Sequence, residues 1–171
     1  QVPVVADSLA RRNARLARFW VDPQSHEGAP IPDDLAGKHA VVVDFEDEWT
    51  AMLAHQLRHL GMKVDVQRWE RLEVGAGTDL VVAGPGPGDP CDDDDPRIAA
   101  AGSLLATRIG AGAPTVAICL SHQVLARQLG LPVRRLDTPN QGTQKRIDLF
   151  GTCTDVGFYN TFSAFTGTDV P

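Results

Sequence analysis

The sequence predicts an α/β fold with a mostly parallel central sheet flanked by helices, and two observations predict it. Short unbroken apolar runs, AVVVDF (40–45), DLVVAG (79–84) and TVAIC (115–119), have the character of strands buried on both faces. Between them lie segments whose apolar residues recur at helical spacing, the alternation from which parallel crossovers are built.

From Ser8 to Trp20 a helix is expected, with Ser8 as a cap and Leu9, Leu16 and Phe19 at helical spacing among arginines. DPQSHEGAPIPDD (22–34) is rich in proline, glycine and acid and reads as a linker, so the domain proper begins near Gly37. After AVVVDF, the residues Trp49, Met52, Leu53, Leu57 and Leu60 predict a helix, which Gly61 is placed to end. KVDVQRW (63–69) alternates as a strand does. GPGPGDPCDDDDP (84–96) cannot continue regular structure, because glycine and proline repeatedly break the ladder. Residues 97–111 read as a helix, and LSHQVLARQLG (120–130) as another that stops at Gly130. PVRRL (132–136) reads as a strand; the remainder is mixed, with VGFYN (156–160) its best strand candidate.

A chain of 171 residues is long enough for one domain with a sizeable core. Its net charge of −6 argues against nucleic acid or an anionic membrane as the main partner, since polyanions need a basic face. The local cluster Arg11, Arg12, Arg15 and Arg18 reads as one solvated or docking helix face. No apolar run approaches the roughly 18–20 residues of a membrane span, and no signal peptide is visible. Three cysteines at irregular spacing give neither a disulfide framework nor a zinc pattern, so a reducing cytoplasm is the expected location. The acidic run Asp92–Asp95 reads as a solvated loop, because consecutive carboxylates repel and point apart; no metal site is expected. The first residue is Gln1, not Met, and the chain is expected to be processed, truncated or an excerpt.

In parallel sheets ligands bind beyond the carboxyl ends of the strands, and two segments fall there: GPGPG after DLVVA, and Cys119 after TVAI. A residue between a strand and a helix can sit on a sharp turn that lifts its side chain above the sheet. A thiol there is activated by the positive helix end, by a base, and by N–H groups that stabilise an oxyanion. Strand–Cys–helix order alone favours a small apolar core thiol over a nucleophile. GPGPG has no lysine and no Walker spacing, so it is a poor phosphate cradle. Its glycines do let backbone N–H groups approach a ligand closely, which suits an oxyanion hole.

GPGPGDP (84–90) followed by AICLSHQ (117–123) resembles the class I, triad-type glutamine amidotransferases, whose elbow more often reads CLGHQ. VDFEDEWTAML (43–53) is similar to that group's first strand and helix. The closest likeness is to the glutaminases of anthranilate synthases. PNQGTQKRIDLFG (139–151) and VGFYNTF (156–162) are more specifically similar to the amidotransferase half of phenazine-pathway aminodeoxyisochorismate synthases. The likeness covers residues 38–165.

The resemblance implies a class I amidotransferase, flavodoxin-like architecture and a set of roles. Cys119 would attack the side-chain amide of glutamine, release ammonia and carry a γ-glutamyl thioester. The N–H groups of Leu120 and Gly86 would form the oxyanion hole. Gly86, Pro87 and Gly88 would line the glutamine pocket, and Gln123 would hold the substrate. Thr161 and Phe162 match a Ser–Leu pair that binds the amino-acid end through the backbone. Read without the resemblance, Gln123 is an exposed helical glutamine and Thr161–Phe162 a strand edge.

No cofactor is implied for this domain. The implied partner is a chorismate-converting synthase domain, fused or separate, which would itself need Mg²⁺; a homodimer of the fused enzyme is compatible with this. Residues 1–36 would be the tail of the preceding domain and the linker, and residues 37–171 the amidotransferase domain. The resemblance also sets departures. Family members complete the triad with a histidine and a glutamate in an HPE segment, whereas no histidine follows His122 here. A C-terminally incomplete domain is therefore expected, binding glutamine weakly and turning it over poorly; an HPE segment further on in the full gene product would support the enzyme, and its absence the scaffold. His122 is expected to point away from Cys119 in a structural role, and His55 and His59 to be surface or boundary residues. Ser121 stands where the elbow usually has glycine. Two other readings stay open: an inactive scaffold or docking domain of the same fold, and a flavodoxin-like nucleotide binder, for which GPGPGDP lacks hydroxyls.

Overall fold

The computed structural model describes residues 31–166. The helix expected over 8–20 and most of the 22–34 linker lie outside the described residues. Val41, Val42 and Val43 are sealed on both sides in strand β1 (His39–Asp44), as an unbroken apolar run requires. Parallel neighbours flank it: β2 (Lys63–Arg68) on one side, then β3 (Leu80–Ala83) and β4 (Thr115–Ala117) on the other, in the order β2-β1-β3-β4.

The period of two divides the core between two layers. Val41, Val43, Val81 and Ala83 face helices α2 (Pro96–Gly110) and α3 (Leu120–Gln128), meeting Leu105, Leu120 and Val124. Val42 and Val82 face α1 (Thr50–His59), meeting Ala54, Leu53 and Leu57. Gly61 (φ +86°) and Gly130 (φ +81°) take the left-handed conformation that ends α1 and α3. Asp95 caps α2 by accepting from the Arg97 N–H, and Pro96 occupies the first turn, where its missing N–H costs nothing.

Several expected elements shift. TVAIC is not a strand buried on both faces: β4 ends at Ala117 and, as an edge of the four-stranded sheet, leaves Val116 45% exposed. Ile118 and Cys119 have already left the strand. Trp49 precedes α1 and is 57% exposed, so it is not part of the buried stripe. Trp69 opens a 3₁₀ turn, Trp69–Arg71, in place of a last strand residue.

The segment read as mixed is a long antiparallel ribbon, β5 (Val133–Leu149) and β6 (Thr152–Ala164), forming a second, two-stranded sheet. Register breaks on either side of Asn140: five steps along β5 from Arg135 match two along β6 from Phe162. The inserted residues bulge away, and Thr161 is left without a ladder partner. The ribbon tip carries Phe150, 99% exposed. Among the described residues, no helix is long and apolar enough to cross a membrane.

Candidate active site

Cys119 stands at the junction of β4 and α3 with φ +53° and ψ −109°. A non-glycine residue in this region stores strain of about 1–3 kcal/mol, which persists only where the surroundings impose it. Here they do. Ser121 N–H donates to Ile118 C=O and Gln123 N–H to Cys119 C=O, closing the first turn of α3 immediately behind the cysteine. The result is a sharp strand–turn–helix elbow whose cysteine is an exposed residue with a partly buried thiol. Cys119 is therefore not a core residue.

Helix α3 also fastens the Gly-Pro loop at both ends. Ser121, fully buried, donates its hydroxyl to the Gly84 carbonyl at 2.7 Å. Arg127 donates to the Pro90 carbonyl at 2.6 Å and pairs with Asp93 at 3.0 Å. Between these ties, Gly86 is pressed into the elbow: a Cβ on it would lie 2.7 Å from the Phe45 carbonyl and 3.0 Å from Leu120 Cδ2. Only glycine fits that gap. Gly86 and the start of α3 at Leu120 are thus brought together, whereas Pro87 and Gly88 are exposed further along the loop. Gly88 adopts φ +123° and lies against the Asp95–Arg97 ion pair.

A third loop reaches the same edge. At the end of β1, the Asp44 carboxylate accepts from the N–H groups of Glu46 and Asp47 and from the Thr50 hydroxyl, shaping the entry to α1. It brings Asp47 within electrostatic reach of Cys119. Partial burial pushes the Cys119 thiol above its ordinary range; the Leu120 N–H draws it down, and the Asp47 charge pushes it up again. Burial also raises the Cys91 thiol, which lies by the Val133 carbonyl at 3.7 Å.

Gln123 is buried in the first turn of α3, not exposed, and its Nε2 donates to the Phe162 carbonyl at 2.8 Å. This bond joins the elbow helix to the ribbon and sets Thr161–Phe162 beside α3. The expected site residues Cys119, Leu120, Gly86, Gln123, Thr161 and Phe162 are therefore tied to one helix. His122 is exposed, and His55 and His59 are partly buried on α1. The acidic run is engaged as cap and ion-pair partner, and the described residues contain no cluster able to hold a metal ion.

Sequence reasoning did not find Asp44, Asp47, Asn140 or Asn160. An aspartate at the carboxyl end of a buried strand was a usable signal for the first; the others depend on packing between distant segments.

Comparison with known proteins shows which family and fold the chain resembles. The profile of the family described as Glutamine amidotransferase class-I matches residues 41–167. A Pseudomonas chlororaphis protein named anthranilate synthase, phenazine specific, is 44% identical over 166 residues, covering 96% of this chain and 26% of that protein. Its counterpart from Pseudomonas fluorescens is 43% identical over 165 residues, again covering 26% of that protein. The chain thus spans about a quarter of the length of these relatives. Anthranilate synthase component 2 of Azospirillum brasilense is 32% identical over 111 residues, covering 63% of this chain and 54% of that protein. The crystal structure of a glutamine amidotransferase from Thermotoga maritima shares the fold, with a TM-score of 0.65 at 17% identity, covering 77% of this chain and 64% of that one.

Proposed function

The chain belongs to the class I glutamine amidotransferase family, and on that premise we propose that it is a glutaminase domain acting through Cys119. The observation that carries this reading is the strained elbow at Cys119, with Gly86 wedged against Leu120. The sulfur, as thiolate, adds to the side-chain amide carbon of glutamine, and the carbonyl oxygen becomes an oxyanion. The N–H groups of Leu120 and Gly86 receive that charge. When the C–N bond breaks, the nitrogen takes a proton and leaves as ammonia, and a γ-glutamyl thioester stays on Cys119. Water then releases glutamate and restores the thiol.

Gly86, Pro87 and Gly88 line the pocket on this reading. The Thr161 backbone, unpaired in the ladder, is free to bind the amino-acid end of the substrate. Gln123 supports that edge with its amide N–H and has its acceptor oxygen left for the substrate. The ammonia goes to a chorismate-aminating partner, fused or separate, in which Mg²⁺ would reside; the names of the relatives support that class of partner. Residues 1–36 then form the connection to it, and the domain itself uses no cofactor.

A second reading, a docking domain without turnover, is favoured by one observation. Among the described residues, the influences on the Cys119 thiol are burial, the Leu120 N–H and the Asp47 charge, and none is a histidine. The test is labelling with a glutamine-shaped chloroketone, followed by peptide mapping. Saturable modification of Cys119, protected by glutamine, is expected. Modification of Cys91 or Cys153 in preference would overturn the assignment.

A further inference from the structure

The Phe162 carbonyl accepts two hydrogen bonds, from Gln123 Nε2 at 2.8 Å and from Asn160 Nδ2 at 2.9 Å. A carbonyl can only accept, so Asn160 must turn its nitrogen toward it and its Oδ1 the other way. There Asn140 Nδ2 donates to Asn160 Oδ1 at 3.0 Å. Asn140 faces Asn160 across the ribbon and is buried, just after the bulge that deprives Thr161 of a ladder partner. The chain of amides therefore runs Asn140–Asn160–Phe162, and α3 joins it through Gln123. Thr161 lacks a ladder partner between the paired Asn160 and Phe162, and the amide relay and the elbow helix both hold the Phe162 carbonyl beside it.

We infer that Asn140 and Asn160 are positioning residues that hold the Thr161–Phe162 edge where the amino-acid end of glutamine binds. The inference rests on the glutaminase reading above. Neither asparagine touches substrate or sulfur; each acts through the Phe162 carbonyl. A purely structural role would alter every reaction of Cys119 alike, whereas a positioning role alters only those that need the amino-acid end to be held.

The test compares two reagents on the full 171-residue chain and on two variants, Asn160→Ala and Asn140→Ala. The glutamine-shaped chloroketone reports recognition of the amino-acid end; iodoacetamide reports access to the sulfur alone. For Asn160→Ala, the chloroketone concentration giving half-maximal labelling rate is expected to rise about three- to tenfold, as loss of one hydrogen bond in a clamp implies. The iodoacetamide rate at Cys119 stays at its original value. Asn140→Ala, which leaves the Asn160–Phe162 bond in place, gives a smaller rise in the same direction. An unchanged half-maximal concentration in both variants overturns the inference while leaving the glutaminase reading intact. A parallel fall in both reagents' rates also overturns it, by showing a general structural defect. Absence of saturable chloroketone labelling in the original chain brings down the glutaminase reading, and the positioning role with it.

Discussion

Ser121 Oγ donates a 2.7 Å hydrogen bond to the Gly84 carbonyl, so the serine standing where the resemblance implies a glycine also anchors the Gly-Pro loop. The serine is more than a tolerated small residue. Ser121→Ala leaves a buried carbonyl without that donor, and a loss of about 1–3 kcal/mol in unfolding free energy is expected. Urea denaturation of the two proteins measures it; equal midpoints would remove the anchoring role.

Gly86→Ala places a methyl group 2.7 Å from the Phe45 carbonyl and 2.8 Å from Phe45 Cβ, both of which belong to the core layer. The loop must retreat, at a cost of about 1–3 kcal/mol from overpacking. Chloroketone labelling of Cys119 is expected to slow as the loop moves away. Retention of full stability and full labelling rate would show that Gly86 does not press on the elbow.

The reactivity of Cys119 follows its protonation. Thiols react as thiolates, and burial raises this one above its ordinary value, so less of it is ionised near neutral pH than of a free cysteine. Its iodoacetamide rate should climb with pH through a midpoint above that of free cysteine. Asp47→Asn removes a negative charge that opposes ionisation, so that midpoint moves down and the rate at neutral pH rises. A midpoint indifferent to Asp47→Asn would place that carboxylate out of reach.

Attack by a thiol on an amide needs a base to take the thiol's proton. Among the described residues no histidine is one of the influences on the Cys119 thiol, so glutamine hydrolysis by this polypeptide is expected to run roughly a thousandfold or more below that of a triad-complete enzyme. Ammonia release by the original chain and by Cys119→Ala checks this directly. A rate approaching a complete enzyme's would mean that some other group takes the proton.

What the sequence made legible was local. The buried strands at 40–45 and 79–84 were visible as unbroken apolar runs, and Gly61 and Gly130 as helix stops. Cys119 was visible as a candidate elbow from order alone, although order could not separate it from a core thiol; its positive φ and the exposure of the residue do. The ribbon was the main omission. VRRLDTPNQGTQKRIDL has a largely exposed burial pattern and Pro139 in its middle, so neither alternation nor turn chemistry announces a 17-residue strand. Its partner strand supplies the order, and that pairing is non-local. β4 looked buried because apolar composition does not reveal that a strand lies at a sheet edge. Gln123 looked exposed because its carbonyl partner lies 39 positions away.

The two-stranded ribbon has its own sheet, and a side-chain tether from α3 holds its base at Phe162. Cooperativity therefore has a natural seam there. On gentle warming, the arm can loosen while the valine-rich layers stay closed, and affinity for an amino acid would fade well before ellipticity does. Sensitivity to heat would then be written in the molecule's grip, with its shape failing later.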